Sequence, residues 1–184
     1  MNVPGEYNIF NALAAISVCK TMGLSIKGIS NSLEIFTGVK RRFDIKVQNN
    51  DLMIIDDYAH HPVEVSSVIK AIKSNWDRRL LVIFQPHLFS RTKQFYKEFA
   101  EALHNADLVF ITEIFASREK LDTSISSEKI GKYLKELHHK NVFNITTESL
   151  TADVKSKYMK GDIILTVGAG SIWRFADKLS ESMQ

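Results

Sequence analysis

The chain has 184 residues, of which 45% are hydrophobic and 24% are charged, and its 24 basic and 21 acidic side chains give a formal net charge of +3. This balance is typical of a globular protein and excludes a disordered chain, which needs low hydrophobicity and a high net charge. The charges are spread along the chain, and no basic stripe with interleaved aromatic residues occurs, so we expect no nucleic-acid partner.

Two helices are predicted at the amino terminus. Residues 6–22 are apolar around most of the helix circumference, which is typical of a buried helix, and Gly23 ends it. Ser25 can cap a second, shorter helix that continues to about Phe36. The segment 37–39, Thr-Gly-Val, then acts as a connector.

Strand patterns begin after this connector. Residues 43–47 alternate between apolar and polar, and the turn formers at 49–51 separate them from a second apolar run at 52–55, which predicts a hairpin. Further apolar runs of strand length lie at 80–84, 107–111, 142–145 and 162–167. Helical apolar stripes lie between or after them, at Val65, Val68, Ile69 and Ile72; at Phe95, Phe99, Ala102 and Leu103; at Ile130, Tyr133, Leu134 and Leu137; and at Ile172, Phe175, Ala176 and Leu179.

This alternation predicts an α/β fold. We expect a doubly wound, mostly parallel sheet of about six strands, with an initial hairpin and two N-terminal helices, because continuous apolar strands suit a sheet that is covered on both faces. The strand that starts the hairpin can run antiparallel. We place a domain boundary at residues 39–41, which separates the helices of residues 1–40 from the sheet domain of residues 41–184.

The single cysteine, Cys19, excludes an internal disulfide framework and an all-cysteine metal site. It lies in an apolar helical stretch, which favours a buried, inert thiol over a nucleophile. The first residues show no secretory signal, and no apolar run approaches the roughly 20 residues that span a bilayer. We therefore expect a cytoplasmic protein without a membrane partner.

Polar residues gather after the predicted strands, where open α/β sheets bind their ligands. Residues 56–62 follow the second hairpin strand, residues 85–92 follow the strand at 80–84, and residues 168–171 follow the last strand. Titratable side chains and glycines thus collect at one edge of the predicted sheet. We expect this edge to bind a polar, anionic ligand.

The segment Asp56–Pro62 allows several interpretations. Asp57 can cap a turn, and His60 and His61 can be partly buried hydrogen-bonding residues, or the segment can be functional. A metal site of Asp57, His60 and His61 is a further alternative. Adjacent histidines in an extended loop point apart, however, and no third ligand occurs at helical spacing, so we predict no metal site.

His87 and Arg91 are four residues apart, and Ser90 can cap the helix that Arg91 opens. An arginine at a helix N-terminus suits a carboxylate or a phosphate, and the alternative is a solvated arginine. The turn Gly168-Ala169-Gly170 permits close backbone approach, although two glycines at a strand-to-helix turn are weak support for a site.

Asn8 and Asn11 lie on one face of the apolar first helix. Because buried asparagines need hydrogen-bond partners, the pair forms either an internal network or part of a ligand site. No G-x-x-x-x-G-K-S/T segment occurs in the sequence. If ATP is used, its phosphate-binding loop lies outside this chain.

Taken together, the motifs resemble those of the Mur ligase family, in the same order. They are Gly5–Ala15, Gly38–Phe43, Asp56–Pro62, Phe84–Thr92 and Gly168–Gly170. The resemblance extends from Gly5 almost to the carboxyl terminus. It implies that residues 1–40 are the last two helices of a central ATPase domain and that residues 41–184 form the Rossmann-like carboxyl-terminal domain of the family.

Residues 84–87, Phe-Gln-Pro-His, are similar to the family members that join L-alanine to UDP-N-acetylmuramate. In that reaction ATP with magnesium phosphorylates the muramyl carboxylate, and the amine of L-alanine attacks the resulting acyl phosphate. Such an aminolysis depends on positioning and charge stabilisation rather than on a nucleophile of the protein. The family's catalytic lysine and magnesium ligands lie in the two preceding domains, so we expect this chain alone to be inactive.

The resemblance also implies roles for individual residues. The nucleotide contacts that it implies are Asn8, Asn11, Arg42 and Asp57, with Asp57 at the ribose. Its substrate-binding residues are Tyr58, His60, His87, Arg91, Gly168 and Gly170, and the catalytic group among them is His60, His87 and Arg91. Two positions depart from the family pattern: Tyr7 stands where a histidine is common, and Leu88 where some members have arginine.

Two other functions remain as alternatives. A standalone Rossmann-like module that binds a nucleotide at Gly168–Gly170 would show affinity without a partner domain. A small metal-dependent hydrolase using Asp57, His60 and His61 would lose its turnover to a chelator. Separately, the apolar circumference of the first helix leads us to expect self-association of the chain.

Overall fold

A computed structural model describes residues 3–182, which contain six strands and seven helices. The strands are β1 (Asp44–Gln48), β2 (Leu52–Asp57), β3 (Leu80–Phe84), β4 (Leu108–Ile111), β5 (Val142–Asn144) and β6 (Asp162–Val167). The helices are α1 (Glu6–Thr21), α2 (Ile26–Ile35), α3 (Pro62–Asn75), α4 (Phe89–Leu103), α5 (Glu128–Glu136), α6 (Leu150–Lys157) and α7 (Trp173–Ser182). In this described part of the chain, no helix has the length and apolar character that a membrane span requires.

All six strands form one sheet in the order β1-β2-β6-β3-β4-β5. Strand β1 runs antiparallel to β2, and every other neighbouring pair is parallel. The predicted doubly wound, mostly parallel sheet with an initial hairpin is therefore confirmed. The domain boundary at residues 39–41 stays a prediction.

The central strands are apolar along their whole length because helices cover both faces of the sheet. Every residue of β2, β3, β4 and β6 is buried. One core layer, which includes Val82, Phe84 and Phe99, lies under α3, α4 and α5. The other layer, which includes Ile83 and Phe175, lies under α6 and α7.

The hairpin turn is held by the side chain of Asn49. Its Oδ1 accepts hydrogen bonds from the backbone N–H groups of Asp51 and Leu52, both at 2.9 Å. This local bonding is the reason why asparagine is favoured at turns. The ladder then contains an irregularity between Ile45 and Val47 in β1.

The ends of the first two helices follow their local sequence signals. Gly23 has φ +85°, and its N–H donates to the Lys20 carbonyl while the N–H of Leu24 donates to the Cys19 carbonyl. This is the paired bonding of a glycine-terminated helix. The Ser25 side chain accepts from the N–H of Gly28 at 3.2 Å, as predicted for a cap of α2.

The prediction that the first helix is buried is wrong for the chain as described. No residue of α1 is buried, and Ile9, Phe10 and Val18 are 58%, 64% and 60% exposed. The apolar residues encircle the helix, whereas α2, against which it packs, can cover only part of that circumference. Cys19, on the same helix, is only partly buried.

Helix α6 was not predicted. Only Leu150 and Val154 of this eight-residue helix are buried, and two apolar positions do not make a recognisable stripe. It covers the sheet face opposite α3 and α4 through those two contacts.

Replacement of Phe99 by alanine tests the first core layer. Phe99 is 1% exposed, and its ring lies 5.0 Å from that of Phe84, so Phe99→Ala leaves a large cavity. We expect a loss of about 3–5 kcal/mol in the free energy of unfolding, measured by urea titration. Leu121→Ala, at a residue that is 76% exposed, is the control, with an expected change below about 0.5 kcal/mol. Equal losses in the two variants would contradict this assignment of the core.

Candidate functional site

Three neighbouring parallel strands end at the same level. Asp57, the last residue of β2, pairs with Val167 of β6, and Val167 pairs with Phe84 of β3. The segments that follow are joined by backbone hydrogen bonds, from the N–H of Gly168 to the Asp57 carbonyl at 3.2 Å and from the N–H of Gln85 to the Val167 carbonyl at 2.9 Å. The three predicted loop clusters therefore start side by side.

Asp57 is buried and joins two chain segments. Its carboxylate accepts hydrogen bonds from the N–H of Phe43 at 2.7 Å and from the N–H of Ala59 at 2.8 Å. Burial raises the pKa of Asp57 to about 6, although both N–H groups and the charge of Arg42 oppose the rise. The interpretation of Asp57 as a turn cap is therefore confirmed, and the carboxylate also faces the cavity described below.

The adjacent carboxylate, Asp56, is completely buried. It accepts a hydrogen bond from the Thr166 hydroxyl at 2.6 Å, and the Arg41 Nε lies 3.4 Å from its Oδ2. Burial raises the pKa of Asp56, whereas Thr166 and Arg41 lower it. The Arg41 Nη2 also donates to the Gly168 carbonyl at 2.6 Å, so one guanidinium links β2 to the turn after β6.

A row of aromatic rings crosses the carboxyl edge. The ring centroids of Tyr58 and His60 are 5.2 Å apart, those of His60 and His87 are 6.1 Å apart, and those of His87 and Phe115 are 5.8 Å apart. The His60 Nδ1 lies 3.0 Å from the Tyr58 carbonyl, which orients the imidazole. The structure thus brings together Tyr58, His60 and His87, which come from two different predicted loops.

Arg91 lies beside this row. Its Nη1 is 3.3 Å from the His87 Nδ1, so that nitrogen acts as the acceptor. Burial, together with the charges of Arg91 and His60, lowers the pKa of His87 and keeps the ring neutral near pH 7. Tyr58, His60, His87 and Arg91 therefore form one continuous cluster.

His61 turns away from this cluster. It precedes α3 as its capping residue: its Nδ1 accepts from the N–H of Val63 at 3.4 Å, and Glu64 accepts from the N–H of His61 at 3.1 Å. Its ring packs against Phe95, with centroids 5.1 Å apart, whereas the ring of His60 packs against Tyr58 and His87. Among residues 3–182, no three His, Cys, Asp or Glu side chains group as metal ligands would.

The start of α4 differs from the prediction that Ser90 caps a helix opened by Arg91. The capping position is Leu88, whose carbonyl accepts from both the N–H and the hydroxyl of Thr92, so the helix starts at Phe89. The N–H and hydroxyl of Ser90 instead donate to the carboxylate of Glu119. An internal carboxylate occupies this helix N-terminus, and anion binding by Arg91 stays a prediction.

Gly168 and Gly170 leave space for internal groups. A Cβ on Gly168 would lie 2.7 Å from the Gln85 carbonyl oxygen, and a Cβ on Gly170 would overlap the Gln85 amide and the ring of Phe115. The Gln85 amide oxygen in turn accepts from the N–H of Ile172. Close packing explains both glycines, and their predicted role in substrate binding stays a prediction.

A cavity of about 250 Å³ lies between α1, α3 and the end of β2. Asn11, Arg42 and Asp57, all predicted as nucleotide contacts, line this cavity together with Tyr7. The Tyr7 hydroxyl is buried and has no hydrogen-bond partner within residues 3–182. Burial and the nearby Asp57 raise the pKa of Tyr7 to about 12, so the group is a neutral hydroxyl that can still form a hydrogen bond.

Asn8 and Asn11 form a small internal network. The Asn11 Nδ2 donates to the Asn8 Oδ1 at 3.3 Å, and the Asn8 Nδ2 donates to the Pro4 carbonyl at 2.7 Å. Only Asn11 of the pair lines the cavity. The internal network that the sequence left open is therefore present, and a ligand role for either residue stays a prediction.

No individual role at this edge was predicted for Arg41, Gln85 or Phe115, although Gln85 lies in a predicted loop cluster and Arg41 in a predicted motif. A signal for Gln85 existed, because an amide directly after a buried strand needs partners. For Arg41 the signal was weaker: a buried carboxylate at Asp56 requires a nearby cation, but the sequence does not say which. Nothing in the local sequence distinguishes Phe115.

Titration of Asp57 makes the stability of the chain depend on pH. The pKa is about 6 in the folded chain and about 3.9 in an unfolded one, so the folded state binds more protons between these values. The free energy of unfolding then falls as the pH rises from about 4 to 6, by about 3 kcal/mol from this group. We expect Asp57→Asn to remove that fall in urea titrations, and Asp77→Asn, at an exposed residue, to keep it. Parallel curves for the chain and Asp57→Asn would contradict the assignment.

Comparisons with known proteins identify the family of the chain. The family profile described as Mur ligase, glutamate ligase domain, matches residues 41–170. UDP-N-acetylmuramate–L-alanine ligase of Geotalea uraniireducens is 38% identical over 184 residues, which cover 100% of this chain and 40% of that protein. The enzyme of the same name from Carboxydothermus hydrogenoformans is 41% identical over 179 residues, covering 97% of this chain and 39% of that protein.

A solved structure shows the same fold. The crystal structure of UDP-N-acetylmuramate–alanine ligase from Thermotoga maritima superimposes with a TM-score of 0.83 at 31% identity, covering 99% of this chain and 39% of that chain. The chain thus spans about 40% of the length of the curated relatives that it matches. The family profile covers more than half of the chain and includes the whole carboxyl edge from Arg41 to Gly170. The chain therefore belongs to the Mur ligase family.

Proposed function

We propose that this chain is the carboxyl-terminal part of an ATP-dependent ligase that joins L-alanine to UDP-N-acetylmuramate in peptidoglycan synthesis. The observation that carries the proposal is the single cluster of Tyr58, His60, His87 and Arg91 at the carboxyl edge. Relatives that bear this activity in their names, at 38% and 41% identity, support the choice of amino acid.

The cluster suits a small amino acid. The guanidinium of Arg91 can hold a carboxylate through two parallel hydrogen bonds, and its contact with His87 limits its direction. The amine of L-alanine must lose a proton as it attacks. The His60 Nδ1 donates to the Tyr58 carbonyl, which leaves its Nε2 free to accept that proton, and we assign this part to His60, with His87 orienting Arg91.

The cavity beside Tyr7 suits the nucleotide. Arg42 supplies a positive charge, Asp57 an acceptor, and Tyr7 and Asn11 further polar groups, which match the hydroxyl, amine and phosphate groups of ATP. ATP with magnesium supplies the phosphoryl group that activates the muramyl carboxylate. We place the magnesium ligands, and the binding of UDP-N-acetylmuramate, in domains outside this chain.

Completion of the site by further domains is part of the proposal. The curated relatives are about two and a half times as long as this chain, which covers 40% of one of them. Four apolar residues of α1 are more than half exposed and form a surface against which another domain can pack: Ile9, Phe10, Leu13 and Val18. We therefore expect the chain alone to bind its ligands weakly and to catalyse nothing.

A chimera tests the reaction. This chain replaces the corresponding carboxyl-terminal part of the Thermotoga maritima ligase, and release of ADP is measured with UDP-N-acetylmuramate and L-alanine. We expect activity that depends on L-alanine, and a fall of about 100-fold in kcat/KM for L-alanine in Arg91→Ala, because a charge-assisted bidentate contact is lost.

The matched control is Lys132→Ala, which removes an exposed cation from α5 and should change the rate less than about two-fold. A folded chimera without ligase activity would refute the proposed function. Activity that is unchanged by Arg91→Ala would refute the role of that residue alone.

Calorimetric titration of the isolated chain tests its incompleteness. We expect no measurable heat on addition of ATP with magnesium or of L-alanine, together with a cooperative thermal unfolding transition that shows a folded chain. Clear nucleotide binding by the chain alone would instead favour an independent nucleotide-binding module.

A further inference from the structure

Arg41 lies where the connector after α2 meets the sheet. It adopts a left-handed backbone conformation, with φ +63°, which few residues other than glycine adopt without support. Both of its backbone groups are engaged: its N–H donates to the Asp44 carboxylate at 3.2 Å, and its carbonyl accepts from the N–H of Tyr58 at 2.7 Å. The backbone of Arg41 therefore joins the start of β1 to the loop after β2.

The side chain of Arg41 joins a third segment. Its Nη2 donates to the Gly168 carbonyl at 2.6 Å and lies 3.5 Å from the Gly170 carbonyl. Its Nε faces the fully buried carboxylate of Asp56. An exposed ion pair contributes little to the stability of a fold. Here, however, the Arg41 side chain is only 24% exposed, and its guanidinium binds main-chain oxygens as well. The planar fork of arginine can serve these acceptors at once, whereas a lysine ammonium cannot.

The guanidinium also lies over a ring of the candidate site. The Arg41 Cζ is 4.7 Å from the centroid of the Tyr58 ring, and the Arg42 Cζ is 5.7 Å from the same centroid. Both distances are within the range of cation–π attraction. Arg41 thus contacts Tyr58 through its carbonyl and through its side chain, and it immediately precedes Arg42 in the chain.

We propose that Arg41 is a positioning residue that fixes Arg42 and Tyr58 by clamping the connector to the Gly168–Gly170 turn. It does not line the cavity beside Tyr7, and its Nε and Nη2 groups donate to internal acceptors. Its effect on catalysis rests on the proposed function, whereas its effect on the geometry of the edge does not. As a result of this clamp, the folded sheet domain sets the directions in which Arg42 and Tyr58 point.

Hydrogen exchange of the chain itself tests the clamp. In Arg41→Lys we expect the N–H of Tyr58 to exchange at least about ten-fold faster, because local opening of its hydrogen bond to Arg41 is no longer opposed. The N–H of Val109, which is buried and donates to the Asn141 carbonyl at 2.9 Å, reports global stability, and we expect Tyr58 to exchange faster than any change at Val109 explains.

Arg79→Lys is the matched control. Arg79 also binds a buried carboxylate, Asp162, and a main-chain carbonyl, that of Lys157, but it does so at the amino edge of the sheet. It should leave the exchange of Tyr58 unchanged relative to the global unfolding rate. If Arg41→Lys does not fold, Arg41→Gln, which keeps one donor for the Gly168 carbonyl, takes its place in both measurements.

Kinetics of the chimera test the catalytic consequence. We expect Arg41→Lys to lower kcat/KM for both ATP and L-alanine by about ten-fold at a temperature where it is fully folded, because Arg42 and Tyr58 both lose their support. Arg79→Lys should stay within about two-fold.

The two measurements separate the two proposals. Equal effects of Arg41→Lys and Arg79→Lys on Tyr58 exchange and on kinetics would overturn the positioning role and leave Arg41 a merely stabilising residue. An unsubstituted chimera without activity would refute the proposed function, and the exchange of Tyr58 would then decide alone whether the clamp exists.

Discussion

The level ends of three parallel strands determine where the polar groups of this chain lie. Asp57, Val167 and Phe84 are paired across β2, β6 and β3, and all three strands are buried along their whole length. Since the faces of the sheet are closed by helices, the polar side chains that follow these strands can meet only at their ends. The aromatic row, the cavity beside Tyr7 and the Gly168–Gly170 turn all depend on this alignment.

Two consecutive buried carboxylates extend the alignment to the connector. Successive residues of a strand point to opposite faces, so Asp56 and Asp57 serve different partners. Asp56 faces Arg41 and Thr166, and Asp57 accepts the N–H groups of Phe43 and Ala59. Burial of the two carboxylates lowers the stability of the folded chain, as their raised pKa values indicate. Their hydrogen bonds in turn fix the path of the chain where it enters the sheet.

Much of the sheet could be predicted because its signals are local. The apolar runs at 80–84 and 162–167 match the bounds of β3 and β6, and the strand ends alone place the loops of His60 and His87 at one edge. The failures concern distant partners. An apolar helix such as α1 is buried only if something covers it, and the partners of Arg41 lie 15 and 127 residues away.

The start of α4 shows another limit of local signals. Ser90 is a favoured capping residue, but the positive φ of Leu88 and the carboxylate of Glu119 set the helix start differently. Neither the backbone conformation nor the contact across 29 residues is visible in the segment itself. The structure shows that Tyr58, His60, His87 and Arg91 lie close together, whereas their roles in a reaction stay proposals.

The two outer strands of the sheet are poor templates for the addition of a further strand. At one side the irregularity in β1 interrupts the ladder, and Lys46, which lies there, binds Asp44 and Asp177. At the other side β5 is only three residues long. Short, irregular or charged outer strands oppose edge-to-edge aggregation. Assembly of copies of this chain into fibrils through its sheet is thereby disfavoured, which directs any association to the apolar sides of its first helices.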